Sequence, residues 1–254
     1  MARTIAIPEG VDPDRITTAV IVDEDGTVRH VPTTIIEKDG QFYAQINSLS
    51  NSMYTVIYHE VTFEDIAGHW AENAMKDMSA RLIVSGYEQH QFKPDQSITR
   101  AEFAAMITRA LGLGVHEEDS ETAYTDVADT AWYKEAIQLA TSYGLMSGYE
   151  DETFRPDAFI TREEGMAVIA RAMELTKLNP QPAASDLEAV LSSFEDAGLL
   201  SDWSQESIVK VLQAGLVTGR TTNTLDPKAD ITRAEIAVLI RRLLITSNLI
   251  DGTL

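Results

Sequence analysis

Cysteine is absent from the 254-residue chain. Disulfides, zinc–thiolate sites and a cysteine nucleophile are therefore excluded. Long apolar runs are missing too. None approaches the roughly 20 residues that a membrane-spanning helix needs. The opening MARTIAIPEGVDPDR has no apolar leader core, so by itself it reads as an intracellular chain, a mature product or a fragment. Basic residues are scarce: Lys and Arg total 20 against 40 Asp and Glu, for a formal charge of −20. Such a chain lacks the basic face that nucleic acid or an anionic membrane requires. A small anion is still allowed, because charges beyond about 8 Å are largely screened at physiological salt and a local arginine pocket can act alone.

Catalytic signatures are also wanting. No Ser-His-Asp or Cys-His arrangement stands out. Carboxylates are so abundant that a pair of them says little about glycosidase chemistry. The five histidines are scattered. DEDG at 23–26 and EDE at 150–152 lack the spacing of a calcium loop and read as solvated turns. No enzyme, metal site or cofactor is expected.

What the chain does contain is repetition. ITRAE occurs at 98–102 and 231–235, and ITREE at 160–164. Trp70, Trp132 and Trp203 each lie 24 residues before Pro94, Pro156 and Pro227, and each proline lies 6 before Arg100, Arg162 or Arg233. A second arginine follows 9 later (Arg109, Arg171, Arg242), and Gly86, Gly148 and Gly219 stand 16 after each Trp. FEDI, YTDV and FEDA open the copies, with Asp65, Asp126 and Asp196.

Each copy reads as helix–loop–helix. Thr followed three residues later by Glu, ahead of an apolar run, is a capping box, so second helices should start at Thr99, Thr161 and Thr232. Phe103, Met106, Ile107, Ala110 and Leu111 then recur at helical spacing. First helices begin around the Trp and stop near Gly144 and Gly215; the first copy has Leu82 there. The motif arginine is locally unexplained, because the helix dipole disfavours a cation in the first turn. The second arginines read as last-turn cations. One helix pair cannot bury its apolar stripe alone, whereas three packed about an axis can. Residues 1–60 differ: Asp25-Gly26 and Asp39-Gly40 are hairpin signals among four or five strand-like runs. The expected organisation is mainly α: repeats over 62–112, 123–176 and 193–248, behind a small β-rich region at 1–60.

The aromatic-x-Asp opening, the Trp, the Gly, the Phe/Leu-x-Pro and the ITRAE box resemble the S-layer homology (SLH) domain, in three tandem copies over about 62–248. The resemblance implies a pseudo-threefold bundle in a secreted protein at the cell surface. It also implies non-covalent anchoring to an anionic, often pyruvylated, secondary cell wall polysaccharide bound between repeats. Region 1–60 then looks like the end of a larger surface protein. Carried over, Arg100, Arg162 and Arg233 are ligand candidates, with inter-repeat struts as the other reading. Gly86, Gly148 and Gly219 are either backbone approach points or positive-φ turn residues. Asp65, Asp126 and Asp196 are hydroxyl ligands or turn residues, and Trp70, Trp132 and Trp203 are sugar platforms or packing. Leu82, Glu163, Leu225 and Arg220 depart from the pattern, and Glu163 weighs against an anion beside Arg162. A helical scaffold for protein partners or lattice assembly is the alternative function.

Overall fold

The computed structural model describes residues 2–23, 26–47, 53–114, 124–178 and 184–253. Glu24 and Asp25 of the DEDG turn and the middle of the linker before the third repeat lie outside them.

Among the described residues of 2–57 there are six strands: β1 (Ala2–Ala6), β2 (Thr18–Val22), β3 (Val28–Val31), β4 (Thr33–Lys38), β5 (Gln41–Asn47) and β6 (Tyr54–Ile57). They make two antiparallel sheets, ordered β1-β5-β4 and β3-β2-β6. The β4–β5 hairpin turns at Asp39 and Gly40, both at positive φ (53° and 77°), which is the backbone an Asp-Gly turn favours. Ala19, Ile21, Val31 and Ile46 fill the core of this region.

The repeats follow as α1 (Glu72–Ala80) and α2 (Arg100–Ala110), α3 (Lys134–Ser142) and α4 (Arg162–Leu175), a linker helix α5 (Ala184–Leu191), then α6 (Gln205–Gln213) and α7 (Arg233–Thr246). The mainly α expectation is overturned. The chain is 37% helix and 17% strand, with two three-stranded sheets, and is not mainly α. Two causes are visible. The N-terminal region yields six strands, and each first helix is only nine residues long, so much of every repeat is loop.

All three capping boxes are formed: Thr99, Thr161 and Thr232 accept from the amides of Glu102, Glu164 and Glu235, whose carboxylates reach back to the cap amides. That satisfies the third orphan amide of each helix. The first two are satisfied by another repeat. Arg100 and Ala101 donate to the carbonyls of Ala158 and Pro156 (2.9 and 3.0 Å). Arg162 and Glu163 donate to Ala229 and Pro227 (2.9 and 3.0 Å), and Arg233 and Ala234 to Gln96 and Pro94 (3.0 Å each). The first repeat thus leans on the second, the second on the third and the third on the first. At the centre the motif isoleucines close a triangle: Ile98 donates to Ile231 (3.0 Å), Ile231 to Ile160 (3.0 Å) and Ile160 to Ile98 (3.2 Å). Their side chains are fully buried in one core that runs through all three repeats.

Gly144 and Gly215 end their first helices at φ 67° and 68°, and Leu82 takes the same conformation at 63° without being glycine. The last-turn reading of the second arginines fits only Arg109. Helices α4 and α7 run on to Leu175 and Thr246, leaving Arg171 and Arg242 well inside them. The β-region packs on the ring. Pro32 and Val31 press against Gly112, held at φ 61°; His59 Nδ1 lies 2.8 Å from the Ala80 carbonyl, and the Ile35 amide donates to Asp251 (2.6 Å). His30 is buried there, and burial, reinforced by Arg81, pushes its pKa down to about 3.

Candidate functional site

The motif arginines explain themselves across the seams. Arg100, Arg162 and Arg233 are only 6%, 6% and 4% exposed. Arg100 donates through Nε to the Phe154 carbonyl (2.9 Å) and through Nη2 to Ser147 (2.8 Å), both in the second repeat. Arg233 makes the matching pair to Phe92 (2.9 Å) and Ser85 (2.8 Å) of the first. Arg162 donates to Leu225 (2.8 Å), but its Nη1 goes to Glu235 (2.6 Å). These are struts, and their inward chemistry outweighs the unfavourable dipole position of about 0.3–1 kcal/mol.

Aspartates 65, 126 and 196 work within their own repeats. Each carboxylate accepts from two successive loop amides, those of Phe92 and Lys93, Phe154 and Arg155, or Leu225 and Asp226, at 2.6–3.1 Å. Burial works to raise the Asp65 pKa, but the amides of Phe92 and Lys93 prevail and hold it below the ordinary value. These contacts fix the strand of loop whose carbonyl the arginine then reads.

None of Gly86, Gly148 and Gly219 is among the residues at positive φ, so the turn reading of these glycines is replaced by close approach. A Cβ on Gly148 would strike the Tyr124 ring and the Thr153 carbonyl, one on Gly86 the Phe63 ring, and one on Gly219 the carbonyls of Thr221 and Thr224.

The tryptophans are not core residues: Trp70, Trp132 and Trp203 are 67%, 63% and 56% exposed. Each stands at a seam, and three grooves result. The first, of about 220 Å³, joins Gly86, Tyr87, Glu102 and Arg109 of the first repeat to Trp132 of the second and Arg233 of the third. A second, of about 150 Å³, joins Gly148, Tyr149, Glu164 and Arg171 to Trp203 and Arg100. The third, of about 580 Å³, joins Gly219, Arg220, Glu235 and Arg242 to Trp70 and Arg162. Every groove therefore draws on all three repeats in cyclic order. The structure brings the candidate Arg, Gly and Trp together and leaves the aspartates outside these linings.

Sequence reasoning missed the capping glutamates and the tyrosines as groove residues. Their signal was present in the Tyr87, Tyr149, Arg220 register. Arg233 lies under the Tyr87 ring (4.6 Å) and Arg100 under Tyr149 (5.0 Å), the geometry of a cation–π contact. With Arg220 instead, the third groove has two guanidinium groups on one carboxylate: Arg162 at 2.6 Å and Arg220 at 3.2 Å from Glu235 Oε1. Burial lowers the Arg162 pKa and Glu235 opposes it. Glu163 does not face that groove. Its carboxylate is turned to Ser201, Ser204 and Lys228, bracing the turn that carries Trp203.

A ring of helix–loop–helix units with composite grooves at its seams defines a repeat-built binding module. The chain belongs to the S-layer homology family: the model described as "S-layer homology domain" matches residues 62–104, 123–164 and 193–237, about half of the chain. It is similar to an amylopullulanase of Thermoanaerobacterium thermosulfurigenes (34% identity, 78% of this chain and 10% of that one). It is also similar to cell surface glycoprotein 1 of Acetivibrio thermocellus (38%, 65% and 7%). A cellulosome-anchoring protein of the same organism matches at 34% identity over 63% of this chain and 35% of its own length. The chain thus spans about a third or less of each of these relatives. Domains of this family anchor proteins to the cell wall, and this three-repeat chain is a cell-surface protein.

Proposed function

We propose that the seams hold an anionic secondary cell wall polysaccharide, with the motif arginines taking its acidic groups (pyruvate ketals fit best) and the tryptophans lying against sugar rings. The observation that carries this is Arg100. Among the described residues no carboxylate pairs with it, although it is almost fully buried. A buried cation without an anion is costly, and its remaining N–H groups suit a bidentate carboxylate. Trp203 offers an exposed flat face beside it. The chain contributes no catalysis in this reading.

The grooves are unequal. Arg233 already has Glu102 at 3.4 Å, and Arg162 and Arg220 are both engaged by Glu235. A ligand acid must compete with these internal carboxylates. Affinity should therefore fall from the second groove to the first to the third.

Titration calorimetry with purified wall polysaccharide, native and with its acidic substituents removed, tests the reading. Both partners are net negative, so bulk attraction cannot help, and removal should weaken binding by tenfold or more, since a charge-assisted bond is worth about 1.5–3 kcal/mol. Equal affinity for the two forms would overturn it. Binding to wall sacculi that survives stripping of the polysaccharide would favour a protein scaffold instead.

A further inference from the structure

The β-region does more than abut the ring. Strand β3, the end of α2 and helix α3 enclose a cavity of about 490 Å³. Val28 comes from the β-region, Leu82 and Leu113 from the first repeat, and Trp132 and Leu139 from the second; Arg29, Arg109 and Glu135 bring charge to the lining. Ser85, Arg109 and Trp132 border both this cavity and the first groove, so the two adjoin.

Arg109 sets this place apart from the other seams. In the same register Arg171 donates to the Leu145 carbonyl (2.9 Å) and Arg242 to Leu216 (3.2 Å). The Arg109 side chain has no hydrogen bond or ion pair among the described residues. Arg29 is already engaged by Asp23 at 2.6 and 2.9 Å, and the charge of Glu135 acts on both Arg29 and Arg109 without pairing with either. Leu82, in the cavity wall, is held at φ 63° where the other copies have glycine, a conformation that costs a bulky side chain energy.

Size points the same way. Small-molecule sites usually measure roughly 300–1,000 Å³. The first groove, at about 220 Å³, is too small for more than the end of an oligosaccharide, while the adjoining cavity, at about 490 Å³, is large enough. We propose that this junction is a second saccharide subsite. It takes the sugar unit next to the one seated in the first groove, with Val28, Leu82 and Leu139 against the apolar face of the sugar, Trp132 shared between units, and Arg109 bonded to an acidic group of the second unit. This rests on the groove reading above and gives the β-region a part in recognition.

The test uses the whole chain with Trp70→Phe and Trp203→Phe, both exposed positions, so that Trp132 is the only indole. Its emission is followed during titration with size-fractionated fragments of the wall polysaccharide, one repeating unit and two units long. The two-unit fragment should bind at least about tenfold more tightly, the worth of one charge-assisted bond. Adding Val28→Phe fills the cavity from β3 without adding an indole or touching a groove residue. It should bring the two-unit affinity down to the one-unit value and leave the latter unchanged. Ala136→Phe fills the same space from α3 if the first variant melts early. Equal affinities for the two fragments, or a length advantage that survives both fillings, overturns the subsite alone. No response of Trp132 to either fragment overturns the groove reading and the subsite with it.

Discussion

The β-region and the ring are held together by opposite means. In the β-region two of the four strand pairings are hairpins, β2 with β3 and β4 with β5 across short turns. The other two, β1 with β5 and β2 with β6, stay within that same region, over a core that includes Ala19, Ile21, Val31 and Ile46. In the ring the decisive bonds are remote. Arg233 and Ser85 are 148 residues apart in sequence, Arg233 and Phe92 141. A local unit is specified by its own few residues. The ring is specified only when three copies are present, because each copy supplies what the previous one lacks.

The largest effect should come from breaking the ring into pieces. Residues 62–112 expressed alone should give a non-cooperative melt by circular dichroism, because the helix-start amides, the Ile98 triangle and the apolar stripe all lose their partners. A sharp melt from a monomeric fragment would show that a repeat is as self-sufficient as a hairpin.

Acid should find the seam between the two regions next. The His30 imidazole takes a proton near pH 6.5 when unfolded and near 3 when folded. Between those values the unfolded chain binds more protons, so stability is complete above 6.5 and falls as the pH drops toward 3, by on the order of a few kcal/mol. Denaturant melts across that window should show the slope, and His30→Gln should flatten it. An unaltered slope in the variant would remove His30 as its source.

Removing one strut is a smaller insult. Arg233→Ala leaves the Phe92 and Ser85 carbonyls without their donor and should cost roughly 1–3 kcal/mol in urea melts. Arg233→Lys should recover little, because a point charge cannot span two carbonyls. An unchanged midpoint for Arg233→Ala would mean that the seam does not depend on its arginine. The smallest effect belongs to the local cap: Thr232→Ala should lose about 0.5–2 kcal/mol, read in the same melts. A loss exceeding that of Arg233→Ala would invert the ranking of remote over local bonds.

What was legible in the sequence follows the same division. Capping boxes at Thr99, Thr161 and Thr232, the Asp39-Gly40 turn and the stops at Gly144 and Gly215 all depend on residues within a few positions, and each is formed. Leu82 hid its stop, because it closes the helix, with its own amide on Ser79 and that of Ile83 on Met78, in a conformation its side chain disfavours. The motif arginines could be seen as anomalous but not explained, since their partners lie dozens of residues away. For the loop glycines the positive-φ turn reading failed, because aromatic rings and loop carbonyls from elsewhere in each repeat set the need for glycine. Glu163 was weighed as a neighbour of Arg162 in sequence, yet its side chain points to another repeat. The composition of a groove, one part from each copy, required the ring to be closed before it could be seen.

The three indoles report directly on the composite grooves. Trp132, Trp203 and Trp70 stand in different grooves, each with one motif arginine. Two-dimensional nitrogen–proton NMR can follow the indole and arginine Nε signals together as acid-bearing polysaccharide fragments are added. Trp203 and Arg100 should shift in parallel and saturate first, then Trp132 with Arg233, then Trp70 with Arg162. Fragment binding that moves the indoles while all three arginine signals stay fixed would contradict the composite groove.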